Sequence, residues 1–466
     1  MTPDERRPGA ADALAGFCCE LRWASLPAPV RERTRELVLD LAGVALRGSL
    51  EPSSGPAAAV ARRLGSPGAA SLIGAGGTAS ASWAALANGT AAHAIEMDDV
   101  TASSSLHPAA AVIPAALALA EERALPATAF GEAVVAGYEV TMRVGDALNA
   151  ASAYRRGFHP TGVAGVFGAA AAAGRLLGLD RSGLARALGV AGTLASGSLE
   201  YLSDGSWTKR LNPGWAAHAG IVAAHLAAEE FTAPASVFEG RLGVLHAYTD
   251  EPRPELLTAG LGEGFAVMRV SIKPYACCRY NHALIDGALG LRRTHGLRPA
   301  DVEAIRLGVL SGGAVLVAEP IAEKRSPRNV VDAQFSAPFA AAVALIRGSA
   351  GLADYTQSNV DDRAIRSLMA RTDCYQDPAL DAVYPAHWPA AVELRLRDGR
   401  RLAIHVDDAS GDPANPVSAA DLRAKFEQLA SAVLPRGAVD ELAERLLHLE
   451  AEADLRRVGT LLRRET

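Results

Sequence analysis

Aromatic side chains are scarce, at 5% of the chain, although hydrophobic residues reach 49%. The apolar content therefore rests on alanine, leucine, valine and glycine, a profile that suits closely packed helices. A strong excess of either charge sign is also missing. Lys and Arg number 46 against 52 Asp and Glu, for a net charge of −6, and no basic stripe interleaved with aromatics occurs. That balance removes the electrostatic footprint of a nucleic-acid binder. Five cysteines, of which Cys18-Cys19 and Cys277-Cys278 are adjacent pairs, show no C-x-x-C spacing. They are too few for a disulfide framework and poorly arranged for an iron–sulfur cluster, so reduced thiols are expected. The longest apolar runs, Ala109 to Ala120 and Gly162 to Gly174, fall short of the roughly 20 residues that span a bilayer. The opening Met1-Thr-Pro-Asp-Glu-Arg-Arg-Pro lacks the apolar core of a secretory signal, which predicts a cytoplasmic protein with no membrane partner. No G-x-G-x-x-G, Walker or G-x-S-x-G pattern appears, so nucleotide cradles and serine hydrolysis are not expected.

What is present is mostly helical periodicity. With 466 residues, two or three domains are expected. Val30, Thr34, Leu37, Leu41 and Val44 recur at helical spacing until Gly48, and helical composition returns over 80–100, 109–123, 129–147, 161–177, 182–198 and 218–230. Texture changes near Phe265. Residues 266–273 look extended, a helix is expected over 281–294, and Val302 to Leu310 alternates as a strand. Val392, Leu394 and Leu396 alternate up to Asp398-Gly399, and Leu402, Ile404 and Val406 alternate away, which predicts a hairpin with a type I′ turn. From Ser418 the pattern is helical again. The expectation is a mainly α protein: a helical domain over 1–265, an α+β domain over 266–417, and C-terminal helices over 418–466 that complete the first.

Two histidines stand directly before a proline that opens a small-apolar run: Leu106-His107-Pro108-Ala-Ala-Ala and Phe158-His159-Pro160-Thr-Gly-Val. Proline favours the first helical position and pushes its predecessor out of the α region, so each histidine is expected at an N-cap. The positive end of the helix dipole attracts anions and disfavours imidazolium, leaving a neutral ring able to take a proton. Either motif alone is explained by proline starting a helix; two, with polar groups nearby, point to a base acting beside a carboxylate.

Upstream lies His93-Ala-Ile-Glu96-Met-Asp98-Asp99, carboxylates at the expected end of an apolar helix. A solvated helix end would account for them, yet acids are disfavoured there. Asp98 or Asp99 close to His107 would fix its tautomer. A polar loop is expected over Glu200–Trp215, within which Lys209 or Arg210 would bind a substrate carboxylate. A third cluster, Lys273-Pro-Tyr275-Ala-Cys277-Cys278-Arg279-Tyr280-Asn281-His282, falls at a strand-to-helix junction, with His282 near a helix start. His93, Asp98, Asp99 and His107 could gather a divalent ion, but no H-x-x-x-H or H-E-x-x-H spacing supports one, and no metal is expected.

These segments, with Trp207-Thr-Lys209-Arg-Leu-Asn-Pro-Gly-Trp-Ala-Ala-His218, occur in the order that resembles the MmgE/PrpD family, which includes 2-methylcitrate dehydratase, cis-aconitate decarboxylase and iminodisuccinate epimerase. The resemblance implies a helical domain with an inserted α+β lid, a homodimer, and a cofactor-free active site lined by Asp98 or Asp99, His107, His159, Lys209 and Lys273. There are departures. Val100 to Leu106 is serine-rich, Asn212 stands where some members have histidine, and Phe335 replaces a tyrosine that some decarboxylases place in the site.

Reactions of this kind require forming or quenching a carbanion next to a carboxylate, which cations make feasible by spreading the developing charge. The expected function is a lyase eliminating water from a hydroxy-carboxylate of the 2-methylcitrate type. Lys209 and Lys273 would hold carboxylates, with His282 and Arg210 as further binding candidates. His107 and His159 would exchange protons, and Asp98 or Asp99 would orient an imidazole. Decarboxylation or epimerisation of a related acid uses the same groups. A non-catalytic helical protein binding a small acid or a partner chain predicts instead that the clusters stay apart.

Overall fold

The structure, a computed structural model, describes residues 9–464; the N-terminal octapeptide read above lies outside them. The chain forms two compact units. One takes the chain up to Ala94, then Asp98–Val270, and resumes from Ser418; the other comprises Ile95–Met97 and Ser271–Val417. The fold is mainly α with a smaller α+β part.

The first unit is built from Ala28–Gly48 (α1), Ala81–Ala92 (α2), Ala109–Glu122 (α3), Ala127–Leu148 (α4), Pro160–Leu177 (α5), Arg181–Leu194 (α6) and Thr208–Ala228 (α7), joined later by Ala419–Ala430 and Arg436–Leu447. α5 and α7 form its centre: α7 packs on α5, α2 and α6, while α4 covers another side of α5. Alanine and glycine allow these axes to approach closely. A Cβ on Gly214 of α7 would lie 2.4 Å from the Leu86 carbonyl of α2, and one on Gly220 would lie 2.4 Å from the Ala169 side chain of α5. Interiors packed to this density leave no room for added atoms.

The second unit carries a four-stranded sheet. Val302–Val309 (β1), Thr372–Gln376 (β2), Ala390–Leu396 (β3) and Arg401–Val406 (β4) are ordered β2-β1-β3-β4, with β1 and β2 parallel and the other pairs antiparallel. Helix His282–His295 (α8) lies against β3 and β4, and Gly287 brings it close to Val392 and Ile404.

Several expectations change here. The helix expected over 80–100 stops at Ala92, so the carboxylates after His93 lie in turns beyond it. α7 begins at Thr208, ten residues before the expected start, and the polar segment read as a loop is half helix. Pro213 and Gly214 lie inside this helix, where packing against α2 overrides their poor local helix preference. Residues 266–273 are not one strand, because Ala266–Arg269 form a 3-10 turn before a two-residue strand, Val270–Ser271. The β3–β4 hairpin is not type I′. Of Asp398 and Gly399 only Gly399 has positive φ, at +89°, and Leu396 N–H donates to the Arg400 carbonyl, so the connection is a longer loop with a left-handed glycine.

A methyl group at the α2–α7 crossing has nowhere to go. Gly214→Ala is expected to cost about 1–3 kcal/mol by overpacking, seen as a lower urea midpoint, whereas alanine at Gly437, which has open space around it, should leave the midpoint unchanged.

Candidate active site

Both His-Pro motifs start helices, by slightly different routes. His159 is the N-cap of α5 with extended dihedrals (φ −87°, ψ 109°), and Pro160 occupies the first turn. In the first motif Pro108 is already helical and takes the cap position of α3, so His107 lies one residue further out. The two starts are tied together: the His107 N–H donates to Thr161 Oγ1 of α5 at 3.1 Å. A β-bridge between Phe158 and Ser198 and the His159 N–H bond to the Gly197 carbonyl, 3.0 Å, hold the second histidine in place.

Three imidazoles converge in this unit. The His93 ring is 4.8 Å from that of His107 and 5.8 Å from that of His159, centroid to centroid. All three are buried, as are Asp98 and Asp99. Asp98 Oδ2 lies 2.6 Å from His93 Nδ1 and 3.3 Å from His107 Nδ1. His107 Nδ1 also meets the Asp99 backbone carbonyl at 2.7 Å. A carbonyl only accepts, so Nδ1 carries the hydrogen and the neutral ring keeps its lone pair on Nε2.

Adjacent carboxylates have separate tasks. Asp98 faces the histidines, whereas the Asp99 side chain accepts from the Ala109 N–H at 3.0 Å, capping α3, and from Tyr138 Oη at 2.7 Å. Burial pushes the Asp99 carboxyl up to about 8, against the opposing pull of those two donors, and the neighbouring Asp98 charge adds to the rise. The same burial raises the Tyr138 phenol well above its usual range.

Lys209 is buried in the first turn of α7. Three residues on, along the same face, Asn212 Nδ2 lies 3.1 Å from His159 Nδ1. Arg210 donates to Ser53 Oγ at 3.0 Å, with Glu51 at 3.9 Å. Tyr201 closes on the His159 ring at 6.2 Å. In the other unit Lys273 is fully buried and its Nζ meets Glu96 Oε2 at 3.4 Å; Glu96 holds a left-handed φ of +56°. His282 begins α8, its Nε2 3.4 Å from the Cys277 carbonyl and its ring 5.1 Å from Tyr275. Burial pushes the Cys277 thiol up to about 12, which leaves it a poor nucleophile.

His93, Asp98 and His107 offer one ligand atom each within 4.8 Å, a gap that suits a cation. Filling it from the Nδ1 atoms would cost His107 its bond to the Asp99 carbonyl, so the donor set fits proton chemistry better than metal binding. His93 and Asn212 carry no local signal that marks them as partners of the His-Pro histidines. His93 was read with the acidic cluster and Asn212 as a departure from pattern; only folding shows that both touch the His-Pro histidines.

The buried imidazoles and carboxylates at these two helix starts form a mutually bonded group with the donors and acceptors that proton exchange requires. The chain belongs to the MmgE/PrpD family: the MmgE/PrpD N-terminal domain matches residues 12–257 and the MmgE/PrpD C-terminal domain residues 275–449. It is a lyase of that family. Relatives include a "cis-aconitate decarboxylase-like protein oryM" of Aspergillus oryzae, 28% identical over 96% of both chains. The cis-aconitate decarboxylase of Aspergillus terreus is 28% identical over 96% of this chain and 95% of its own, and the human cis-aconitate decarboxylase is 27% identical over 82% and 79%. Among the described residues no helix is long and apolar enough to cross a membrane.

The raised Asp99 carboxyl sets a pH dependence of stability. Its folded-state value near 8 exceeds the ordinary 3.8, so folding favours the protonated acid. The stabilisation is complete at acid pH below the ordinary value and is lost as pH rises towards and through about 8. Asp99→Asn keeps an oxygen for the Ala109 N–H and removes the titration. The melting temperature of the variant should fall less than that of the wild type between pH 5 and 8; parallel curves would rule out a protonated Asp99.

Proposed function

We propose that the protein eliminates water from a small hydroxy-di- or tricarboxylate, with His107 as the base. The observation that carries this is the Nδ1–H of His107 held by the Asp99 carbonyl and Asp98, which turns a lone pair on Nε2 toward proton abstraction. Elimination needs such a base, whereas decarboxylation releases its electrons without one and needs only a proton donor afterwards. His107 takes the proton on the carbon next to a carboxylate, the C–OH bond breaks, and the departing hydroxyl leaves as water with that proton, directly or through a water. Lys209 and Lys273 hold carboxylates, and the cationic charge lowers the cost of the carbanion. Asp98 steadies the imidazolium formed in the step. Asp99 supports the site as helix cap and through its carbonyl, which accepts from His107 Nδ1, and Arg210 and His282 are further candidates for binding a substrate carboxylate. No cofactor is required for this sequence of events. The reaction runs in the cytoplasm on a small-molecule carboxylate.

Decarboxylation is the second reading, favoured by the names of the relatives above. Purified protein offered 2-methylcitrate, citrate and cis-aconitate separates the two: elimination appears as alkene absorbance, decarboxylation as carbon dioxide. Carbon dioxide from cis-aconitate with no alkene from either hydroxy acid overturns the first reading. His107→Gln should lower turnover by about 10²- to 10⁴-fold, the range of one positioned acid–base group, and His159→Ala by about 10²- to 10³-fold, the range of one donor to developing charge, with melting temperature near wild type. Lys209→Ala and Lys273→Ala should raise KM as well.

A homodimer is proposed alongside. Trp207, Leu211 and Trp215, four residues apart at the start of α7, leave 49%, 41% and 40% of their surfaces exposed, an apolar stripe that a second copy would cover. Light scattering should give twice the 48.2 kDa chain mass, and Trp215→Glu should shift it toward the monomer.

A further inference from the structure

The Nδ1 atoms of the two His-Pro histidines face opposite kinds of partner. His107 Nδ1 meets the Asp99 carbonyl, an acceptor, at 2.7 Å. His159 Nδ1 meets the Asn212 side-chain amide at 3.1 Å, and the amide atom turned to it also lies 3.5 Å from the Ser198 carbonyl. A carbonyl only accepts, so that atom is the NH2; an amide turned the other way would set oxygen against oxygen. The NH2 donates to His159 Nδ1, which must then keep its lone pair.

We propose that Asn212 fixes His159 as a neutral imidazole with its proton on Nε2. His159 is then a hydrogen-bond donor, not a second base. Protonation on Nδ1 would push one N–H against another, so imidazolium is disfavoured, and the N-cap position at the positive end of α5 disfavours it again. The pair divides its work: His107 takes the proton on an Nε2 that carries no hydrogen, and His159 offers Nε2–H to the negative charge that develops on the substrate. This role rests on the elimination reading; the tautomer does not. Asn212 is a positioning residue, acting through His159 from the helix that carries Lys209 one turn earlier. It also makes the position a determinant of chemistry, since an acidic or apolar residue there would change what His159 can do.

The test reads the ring directly. In full-length protein labelled with 15N-histidine, the 11 imidazoles are followed by long-range proton–nitrogen correlation across pH, and His159 is identified by its loss in His159→Gln. The expected wild-type signal is the neutral Nε2–H tautomer at pH 7. Asn212→Asp should convert His159 to the Nδ1–H or doubly protonated form and raise its titration midpoint by about 1–3 units, the effect of an adjacent carboxylate. Turnover should fall at least tenfold with its pH profile displaced to the alkaline side. Asn212→Leu, at a partly exposed position, should give a mixture of tautomers. A wild-type His159 that carries Nδ1–H or is charged at pH 7 overturns the proposal, as does a tautomer unchanged in both variants. A neutral Nε2–H in protein that eliminates water from no carboxylate leaves the proposal standing and removes the elimination reading instead.

Discussion

One hydrogen bond organises the site: the Nδ1–H of His107 on the carbonyl of Asp99. A backbone acceptor cannot titrate or rotate away, so it fixes the ring's tautomer more firmly than a carboxylate would. It also ties the imidazole to the residue whose side chain caps α3, the helix that His107 introduces. The direction of the ring and the start of the helix are therefore set by one residue. Loss of the cap would move the carbonyl, and with it the lone pair on Nε2.

Close helix packing makes this arrangement possible. α3 and α5 both start at the cluster, and their first turns are joined by the bond from His107 N–H to Thr161 Oγ1. α7 brings Lys209 and Asn212 in from another part of the chain because glycines at 214 and 220 let it lie against α2 and α5. With few aromatics to space the helices, small side chains bring polar groups at three helix ends within contact. Buried imidazoles and carboxylates are costly alone and tolerable as a mutually bonded set.

Much of this was legible in the sequence because it depends on local rules. Proline placed His159 at an N-cap, and alternation at Val392, Leu394 and Leu396 marked β3. Legibility failed where tertiary contacts decide. Asn212 belongs to a segment whose polar composition reads as a loop; the α2–α7 crossing makes it helical, and its amide meets His159. Asp98 and Asp99 could not be told apart as neighbours in sequence, since one points to the histidines and the other to a helix start and Tyr138. Asp-Gly suits two hairpin turn types, and only the pairing of Leu396 with Arg400 selects one.

The division of labour between those two carboxylates explains how one short segment supports both fold and chemistry. Asp99 is buried with a neutral phenol and a single peptide N–H, so its surroundings hold it toward the uncharged form. Asp98, one residue earlier, lies between two imidazoles, where a negative charge has partners able to take up a proton. Were both carboxylates ionised side by side in a dry interior, their repulsion would act against the closeness that the helix starts require. Holding Asp99 toward its protonated form lessens that repulsion. The two acids of this segment differ in environment, not in kind: one caps a helix beside a phenol, the other lies between two imidazoles.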